Sequence, residues 1–566
     1  MARRFSGVTR RRVLASGVAV SAGLVAGCIG EEDGAGPADT DDVGDAEEGD
    51  DILDPEEYDY DREEPDDEEA AMASSLLYTQ ELERAEDFDP VVSNDAYSMQ
   101  VATLIYDGLY EYDYDLELQP KVAVDYPEVE RDGTRFLYEI HEGIEFHNGD
   151  ELTASDVAHS FTAPVEEETP NIGIYDMVEE TEVIDDYQLQ VDLAHPYGPW
   201  ELSTQGVSIV PEETRTEDRE AFNENPIGSG PFQWVDFAHG EFVELERFDD
   251  YWDEPLPYVE EVRFEDNVDD ASRVSDLLAG GTDAIGDVPN DDWDELEGED
   301  DIRLHVAESP SVAYIYFNCN EGAGTADPNV RRGIAHSFSM LDYVETFLNN
   351  AAIPIVTPTS RITNELWDFP IEEWEETYPG YDPETAQELL DEHAPDDWNP
   401  TFIAPDDERA ALAERVATRM GEIGYDMQVQ TMDFGTMLDN TIYSDGDPDD
   451  YELYVVGWTG GPDPDQYLYS NFHESQESIN QGHFYEGSED FHDNILAARE
   501  SADQDEREEL YTEVITEIIE ELPAMPAYTE HNSMATQDHV MDVHVHPQMQ
   551  YNPHLVSEDG NVWVED

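Results

Sequence analysis

The stretch Gly457-Trp458-Thr459-Gly460-Gly461-Pro462-Asp463-Pro464-Asp465 sets one indole among glycines and acids, a combination suited to holding a ligand. The indole offers a flat apolar wall with an N–H at its rim, fit for a side chain or a sugar face; its competing role is core. His544 and His546 alternate along an apparent strand, with His539 nearby, and would face the same way. They could ligate nickel or zinc, or simply face solvent. Asp445-Gly446-Asp447-Pro448-Asp449 superficially matches a calcium loop. Asp450 stands where that loop needs its glycine, and Val456 where it needs a bidentate Glu, so a solvated acidic loop is expected. Motifs for catalysis are missing. Lys121, the only lysine, follows Pro120, which excludes a phosphate loop ending in Gly-Lys. There is no Gly-x-Ser-x-Gly elbow, and His141-Glu142 and His473-Glu474 lack a second histidine. Carboxylate pairs arise by chance in so acidic a chain and carry no signal for acid–base chemistry. Cys319 reads as a small buried hydrophobe. No enzyme activity, metal or cofactor is expected; a secreted hydrolase or metal-dependent enzyme is the rival reading.

That acidity also decides what the chain avoids. Its 566 residues carry 141 Asp and Glu against 24 Lys and Arg, a formal net charge of −117. Phosphate backbones and anionic membrane surfaces would repel it, which excludes nucleic acid and electrostatic membrane docking. Self-repulsion of this size disfavours a compact state in dilute buffer, and molar salt, with a Debye length of ~3 Å, removes most of it. The composition resembles that of haloarchaeal proteins. With 39% hydrophobic and 10% aromatic residues, most of the chain can still bury a core.

The N-terminus reads as an address. Residues 1–27 hold five arginines and no acid. Thr9-Arg10-Arg11-Arg12-Val13-Leu14 looks like a twin-arginine export signal, and the apolar stretch Val13 to Ala26 is too short to span a bilayer. Val25-Ala26-Gly27-Cys28 resembles a lipobox, which makes Cys28 the expected lipidation site. With Cys28 lipidated, Cys319 has no partner for a disulfide. Residues 28–73 follow as an acidic, disordered tether, with 22 acids against Arg62 alone between Ile29 and Ala73.

From Ser74 onward short β-branched or aromatic runs alternate with helical patterns. Strands are expected at 136–140, 189–193 and 314–317, and helices at 272–279, 329–349, 385–393, 407–423 and 505–521. Thr153-Ala154-Ser155-Asp156 and Asp382-Pro383-Glu384 carry helix-start signals. The mixture predicts an α/β protein of more than one lobe.

Several segments, in order, resemble the family-5 extracellular solute-binding proteins of ABC transporters, the dipeptide, oligopeptide and nickel binders. They are Phe88-Asp89-Pro90, Leu104-Ile105-Tyr106-Asp107-Gly108-Leu109-Tyr110, Ile144-Glu145-Phe146-His147-Asn148-Gly149-Asp150 running into Leu152-Thr153-Ala154-Ser155-Asp156-Val157, Ile227-Gly228-Ser229-Gly230-Pro231-Phe232, and Asp250-Tyr251-Trp252. Tyr316-Phe317-Asn318, Asn329-Val330-Arg331-Arg332-Gly333-Ile334-Ala335, Tyr381-Asp382-Pro383-Glu384 and the Gly457–Asp465 loop continue the pattern.

The resemblance implies a two-lobe periplasmic-binding-protein-like fold with an extra subdomain in the first lobe. Lobe I would span 74–311 with the subdomain at about 115–202, lobe II 312–523, and residues 524–566 would return to lobe I. It implies an extracytoplasmic, membrane-tethered lipoprotein, a monomer that captures a peptide, or alternatively an oligosaccharide or nickel ligand, and delivers it to ABC permease subunits. The ligand would lie between the loop carrying Gly457, Trp458, Thr459 and Asp463 and a facing segment, Asn94-Asp95-Ala96-Tyr97. Peptide-binding members carry an acid three residues after the cleft tryptophan; here that position is Gly461, which leaves Asp463 and Asp95 to meet a peptide's ammonium.

Overall fold

The computed structural model describes Pro65 and residues 68–565, apart from 83–84, 86, 94, 254, 350, 408, 477–481, 485–486, 489 and 558–559. The export signal, Cys28, most of the tether and Asn94 therefore lie outside the described residues. The last residues of the expected tether are ordered: Glu68–Ala71 make a helical turn whose Ala71 is buried.

Along the chain, β1 (Ser74–Gln80) opens the first lobe and α1 (Ala96–Ile105) packs over it. An insertion follows, built on β2 (Glu128–Glu130), β3 (Arg135–Glu139), α2 (Ala154–Glu166), β4 (Val178–Asp185) and β5 (Gln188–Leu193). Its strands form a separate sheet in the order β2-β3-β5-β4, with its own aromatic core around Phe161 and Trp200. Thr153 and Asp156 form a capping box at the start of α2. The first lobe resumes with β6 (Phe232–Ala238), β7 (Phe242–Arg247), β8 (Val259–Asp266), β9 (Ala284–Gly286) and β10 (Ile302–Glu308).

The chain then crosses at Ser309-Pro310-Ser311 into β11 (Val312–Phe317), every residue of which is buried. Next come β12 (Ala352–Pro354), α3 (Arg361–Leu366), β13 (Thr401–Pro405), α4 (Arg409–Glu422), β14 (Gln428–Met432), α5 (Phe434–Asn440) and β15 (Leu453–Trp458). Helices α6 (Asp465–Phe472), α7 (Phe491–Glu500) and α8 (Gln504–Glu521) close this lobe, and β16 (Ala524–Gln537) leads back.

One mixed sheet runs through both lobes in the order β14-β13-β15-β11-β16-β9-β1-β8-β7-β6. The long strand β16 joins its halves. Its first part pairs with β11 and β12, as Tyr528 with Ala313 and Glu530 with Ala352; from His531 it pairs with β10. The return to lobe I therefore comes at residue 531, seven residues after the strand begins. The other crossing meets it there, where Ser309 N–H donates to the Glu530 carbonyl at 3.1 Å. Two crossings side by side make a hinge.

Four of the sequence motifs converge on lobe I for a structural reason. Asp107, fully desolvated, accepts from Ser229 Oγ at 2.9 Å, Tyr251 OH at 3.0 Å and Trp252 Nε1 at 2.9 Å. Burial raises its carboxyl above the ordinary value, and the nearby Lys121 opposes that. His147 bonds the carbonyl of Gly230 at 3.0 Å through Nε2 and accepts from Gly228 N–H at 3.3 Å through Nδ1. Gly228 and Gly230 lie against the Ile105 backbone, with 2.0 and 2.6 Å left for any Cβ. The motifs are a fold-holding knot.

Candidate functional site

Parallel strands carry their ligand crevices at their carboxyl ends. In lobe II, β13 runs parallel to both β14 and β15, so their carboxyl ends lie on one edge. That edge presents Asp407 and Arg409 after β13, Phe434 after β14, and Gly457 and Trp458 at the end of β15. Arg409 Nε donates to Asp407 Oδ1 at 3.0 Å, and its Nη2 reaches the other oxygen. The guanidinium lies 5.2 Å from the Phe434 ring centre, and a Cβ on Gly457 would sit 3.7 Å from Nη1. Glu530, on the crossing strand β16, lies within the electrostatic reach of Arg409 and Asp407. Its side chain is open to solvent, yet burial within the surrounding protein raises its carboxyl, with Arg409 opposing and Asp407 adding to the rise.

The loop after β15 is held firmly. Thr363 Oγ1 on α3 donates to the Gly461 carbonyl at 2.9 Å, and Trp367 Nε1 to that of Pro462 at 2.8 Å. Gly460 packs on the Tyr467 ring, with 2.0 Å left for a Cβ, and Tyr467 OH donates to Pro310 O in the crossing at 2.7 Å. Tyr467, on α6, thus links the loop to the crossing. Trp458 is half-buried and spends its N–H on the Gln466 carbonyl at 2.8 Å, so it can offer a ligand ring surface only. Thr459 is exposed.

Asp463, expected to meet a ligand's ammonium, is instead sealed in. It is 0% exposed and takes Arg507 Nη2 on both oxygens, at 2.7 and 2.8 Å. Asp465 N–H also donates to it at 2.9 Å. Asp95 caps α1 by accepting from Ser98 N–H at 2.7 Å, Ala96 opens that helix, and Tyr97 is buried in the lobe I core. Arg409, Phe434 and Glu530 were not singled out by sequence reasoning. Arg409 had a signal, as an arginine following an acidic turn between a strand and a helix; Glu530 had none among 141 acids.

Elsewhere, residues 543–546 form no strand, and His544, His546 and His554 gather around Tyr114, ring centres 5.3–5.7 Å apart. Burial pushes His546 down to about 4 and His554 to about 3. Among the described residues no group of three His, Cys, Asp or Glu side chains is disposed to hold a metal ion. In the 445–449 loop the carbonyls of Asp445 and Gly446 accept from Asn320, and that of Gly446 from Asn318 as well. Cys319 is half-buried between the two lobe II cores.

The lobes touch away from the hinge. Gly198 N–H of the insertion donates to Arg499 O on α7 at 2.8 Å. The Arg499 guanidinium sits between two rings, 4.6 Å from Tyr197 of lobe I and 3.9 Å from Tyr469 of lobe II, and pairs with Asp465. Burial raises the Asp465 carboxyl to about 6, and Arg499 opposes that rise.

Residues 117–478, more than half of the chain, match the family described as bacterial extracellular solute-binding proteins, family 5. The chain belongs to this family. Family 5 proteins are transport binding proteins that act outside the cytoplasm, and the chain is accordingly not an enzyme. It is 24% identical over 379 residues to the glutathione-binding protein GsiB of Pectobacterium atrosepticum, covering 66% of this chain and 72% of the relative. It is 23% identical over 491 residues to the oligopeptide-binding protein AppA of Bacillus subtilis, covering 81% and 87%. Among solved structures, the periplasmic binding protein DppA of Helicobacter pylori in complex with the peptide STSA matches with a TM-score of 0.71 at 21% identity, over 88% of this chain and 99% of that one. The AppA structure from Bacillus subtilis in complex with a nonapeptide matches with a TM-score of 0.68 at 22% identity, over 87% and 99%. Both have the same two-lobe fold. No helix among the described residues is long and apolar enough to cross a membrane.

Proposed function

We propose that this family 5 protein captures peptides outside the cell and delivers them to the permease of an ABC importer. The observation that carries the reading is the carboxyl edge of the lobe II sheet, which brings Trp458, Phe434 and the Arg409–Asp407 pair together beside the two crossings. Its relatives described above bind glutathione, an oligopeptide or a nonapeptide, which favours peptides over sugars as the class. Gly457, Trp458 and Thr459 line the site in this reading, with Arg409 and Phe434. The chain acts as a monomer, closing its lobes on the ligand so that the permease meets the closed form.

Attachment completes the proposal: Cys28 carries the lipid, and the acidic segment holds the lobes off the membrane. Two experiments test these parts. Native mass spectrometry of the purified protein is expected to reveal co-purified peptide; a bound oligosaccharide or nickel complex would overturn the ligand class. Cys28→Ser is expected to release the protein into the medium, and a variant that stays as firmly membrane-bound as wild type would sink the lipoprotein assignment.

A further inference from the structure

We propose that the insertion of lobe I and α7 of lobe II form a proton-linked clasp, in which closing the lobes seals Asp465 and its carboxylate takes up a proton. The inference concerns closure and holds whichever ligand fills the cleft.

The clasp is built from close backbone contact. Gly198 of the insertion seats on the junction of α7 and α8, where its N–H reaches the Arg499 carbonyl at 2.8 Å. A Cβ at Gly198 would lie 2.3 Å from the Ser501 carbonyl oxygen and 2.8 Å from Arg507 Nε, both of them atoms of lobe II. At Gly133, in the turn between β2 and β3, the nearest atom to an added Cβ is the Cβ of Ala502, at 3.4 Å. Contacts this short leave no room for water along the seam.

Asp465 lies behind that seam, at the start of α6, with its side chain 2% exposed. Its Oδ2 accepts from Arg499 and, across the lobe boundary, from Tyr197 OH at 3.4 Å. Oδ1 is buried as well, and among the described residues it accepts no hydrogen bond. A carboxylate with one oxygen paired and the other sealed in is costly to keep ionised.

The groups that face it leave that cost in place. Arg507 of α8 is committed to Asp463 through both carboxylate oxygens, and the charge of Asp463 repels that of Asp465. Tyr197 of the insertion and Tyr511 of α8 are neutral, burial holding both phenols above their ordinary value. Arg499 bonds it but is shared with the rings of Tyr197 and Tyr469, and its field also reaches Asp176 of the insertion and His473 after α6; Asp176 in turn feels His195. Burial accordingly raises the Asp465 carboxyl to about 6.

Asp465 and Arg499 both belong to lobe II, so opening withdraws Tyr197 and Gly198 while the ion pair stays, and water reaches Oδ1. A carboxyl with a higher value in the closed form binds its proton on closing, so closure gains as the pH falls and is opposed above about pH 6. With the ordinary value in the open form, the closed-to-open ratio rises about tenfold between pH 8 and pH 5. Asp465 also ends the loop that Trp458 begins, which places the clasp and the cleft on one segment.

The test is small-angle scattering of the full, ligand-free chain at molar KCl, at pH 5 and pH 8. Wild type is expected to be more compact at pH 5. Asp465→Asn is expected to stay compact at both values, because its amide has no charge to bury and its oxygen still accepts from Arg499. Gly198→Ala is expected to be more open at both and to lose the pH response, since its added methyl meets only the opposite lobe. Wild-type dimensions that do not move with pH would overturn the proposal, and so would an Asp465→Asn variant that responds as wild type does. Gly198→Ala as compact and as pH-sensitive as wild type would do the same, and this arm stands even if Asp465→Asn fails to fold. None of these outcomes bears on the peptide reading, which the ligand experiments test separately.

Discussion

Asp463 and Arg507 form a pair in which the carboxylate is 0% and the guanidinium 7% exposed. Replacing Asp463 by Asn leaves a buried arginine without its counter-charge, and breaking such a pair costs about 3–5 kcal/mol. Urea denaturation of the ligand-free protein should show a loss of that size; a change under about 1 kcal/mol, the range of solvent-exposed pairs, would mean that water reaches it. From sequence this residue looked like a ligand anchor, because it is the nearest acid after the cleft tryptophan. What the sequence does not carry is the pairing: Arg507 lies forty-four positions away, and only the packing of α8 against the loop brings them together. Trp458 stands out in the sequence as an indole among glycines, and its N–H, expected to be a handle, is spent on Gln466. Glu530 was illegible for a different reason. A glutamate in this chain is background until its place at the partner change of β16 singles it out.

At the scale of elements, the contact between the insertion and α7 joins the lobes far from the hinge. Arg499 between Tyr197 and Tyr469 is a cation–π arrangement worth roughly 0.5–2 kcal/mol, and only one of its rings belongs to lobe I. Tyr197→Leu keeps the apolar bulk and removes the ring and hydroxyl. Because the lost contact joins the lobes, ligand affinity should fall by about two- to thirtyfold, and scattering should report a more open ligand-free form. Unchanged affinity and unchanged dimensions would show that the contact does not bias closure. Most elements were readable from pattern: the expected helices at 385–393, 407–423 and 505–521 are found at Pro383–His393, Arg409–Glu422 and Gln504–Glu521. The expected helix at 329–349 is two helices, Pro328–His336 and Met340–Phe347, because Ser339 caps the second by accepting the Asp342 N–H at 3.1 Å. The histidines at 544 and 546 looked like a strand by alternation, and packing around Tyr114 overrode it.

For the molecule as a whole, charge and closure set the behaviour. A chain of −117 formal charge with one lysine must fold against its own repulsion, which molar salt screens to a range of ~3 Å. Its melting temperature should rise steeply between dilute and molar KCl, and a flat dependence would contradict the salt-adapted reading. The two-lobe architecture was legible because the motifs that knot lobe I around Asp107 stand in order along the sequence. The exact crossing was not, since β16 is a single uninterrupted strand that changes partners in mid-course. The central claim is that this family 5 protein binds peptides in the recess between Trp458 and the hinge. Calorimetry at molar KCl with a peptide pool, on wild type and on Trp458→Ala, tests it most directly. The account predicts saturable peptide binding by wild type and at least tenfold weaker binding by the variant; binding of neutral oligosaccharides but not of peptides would contradict it.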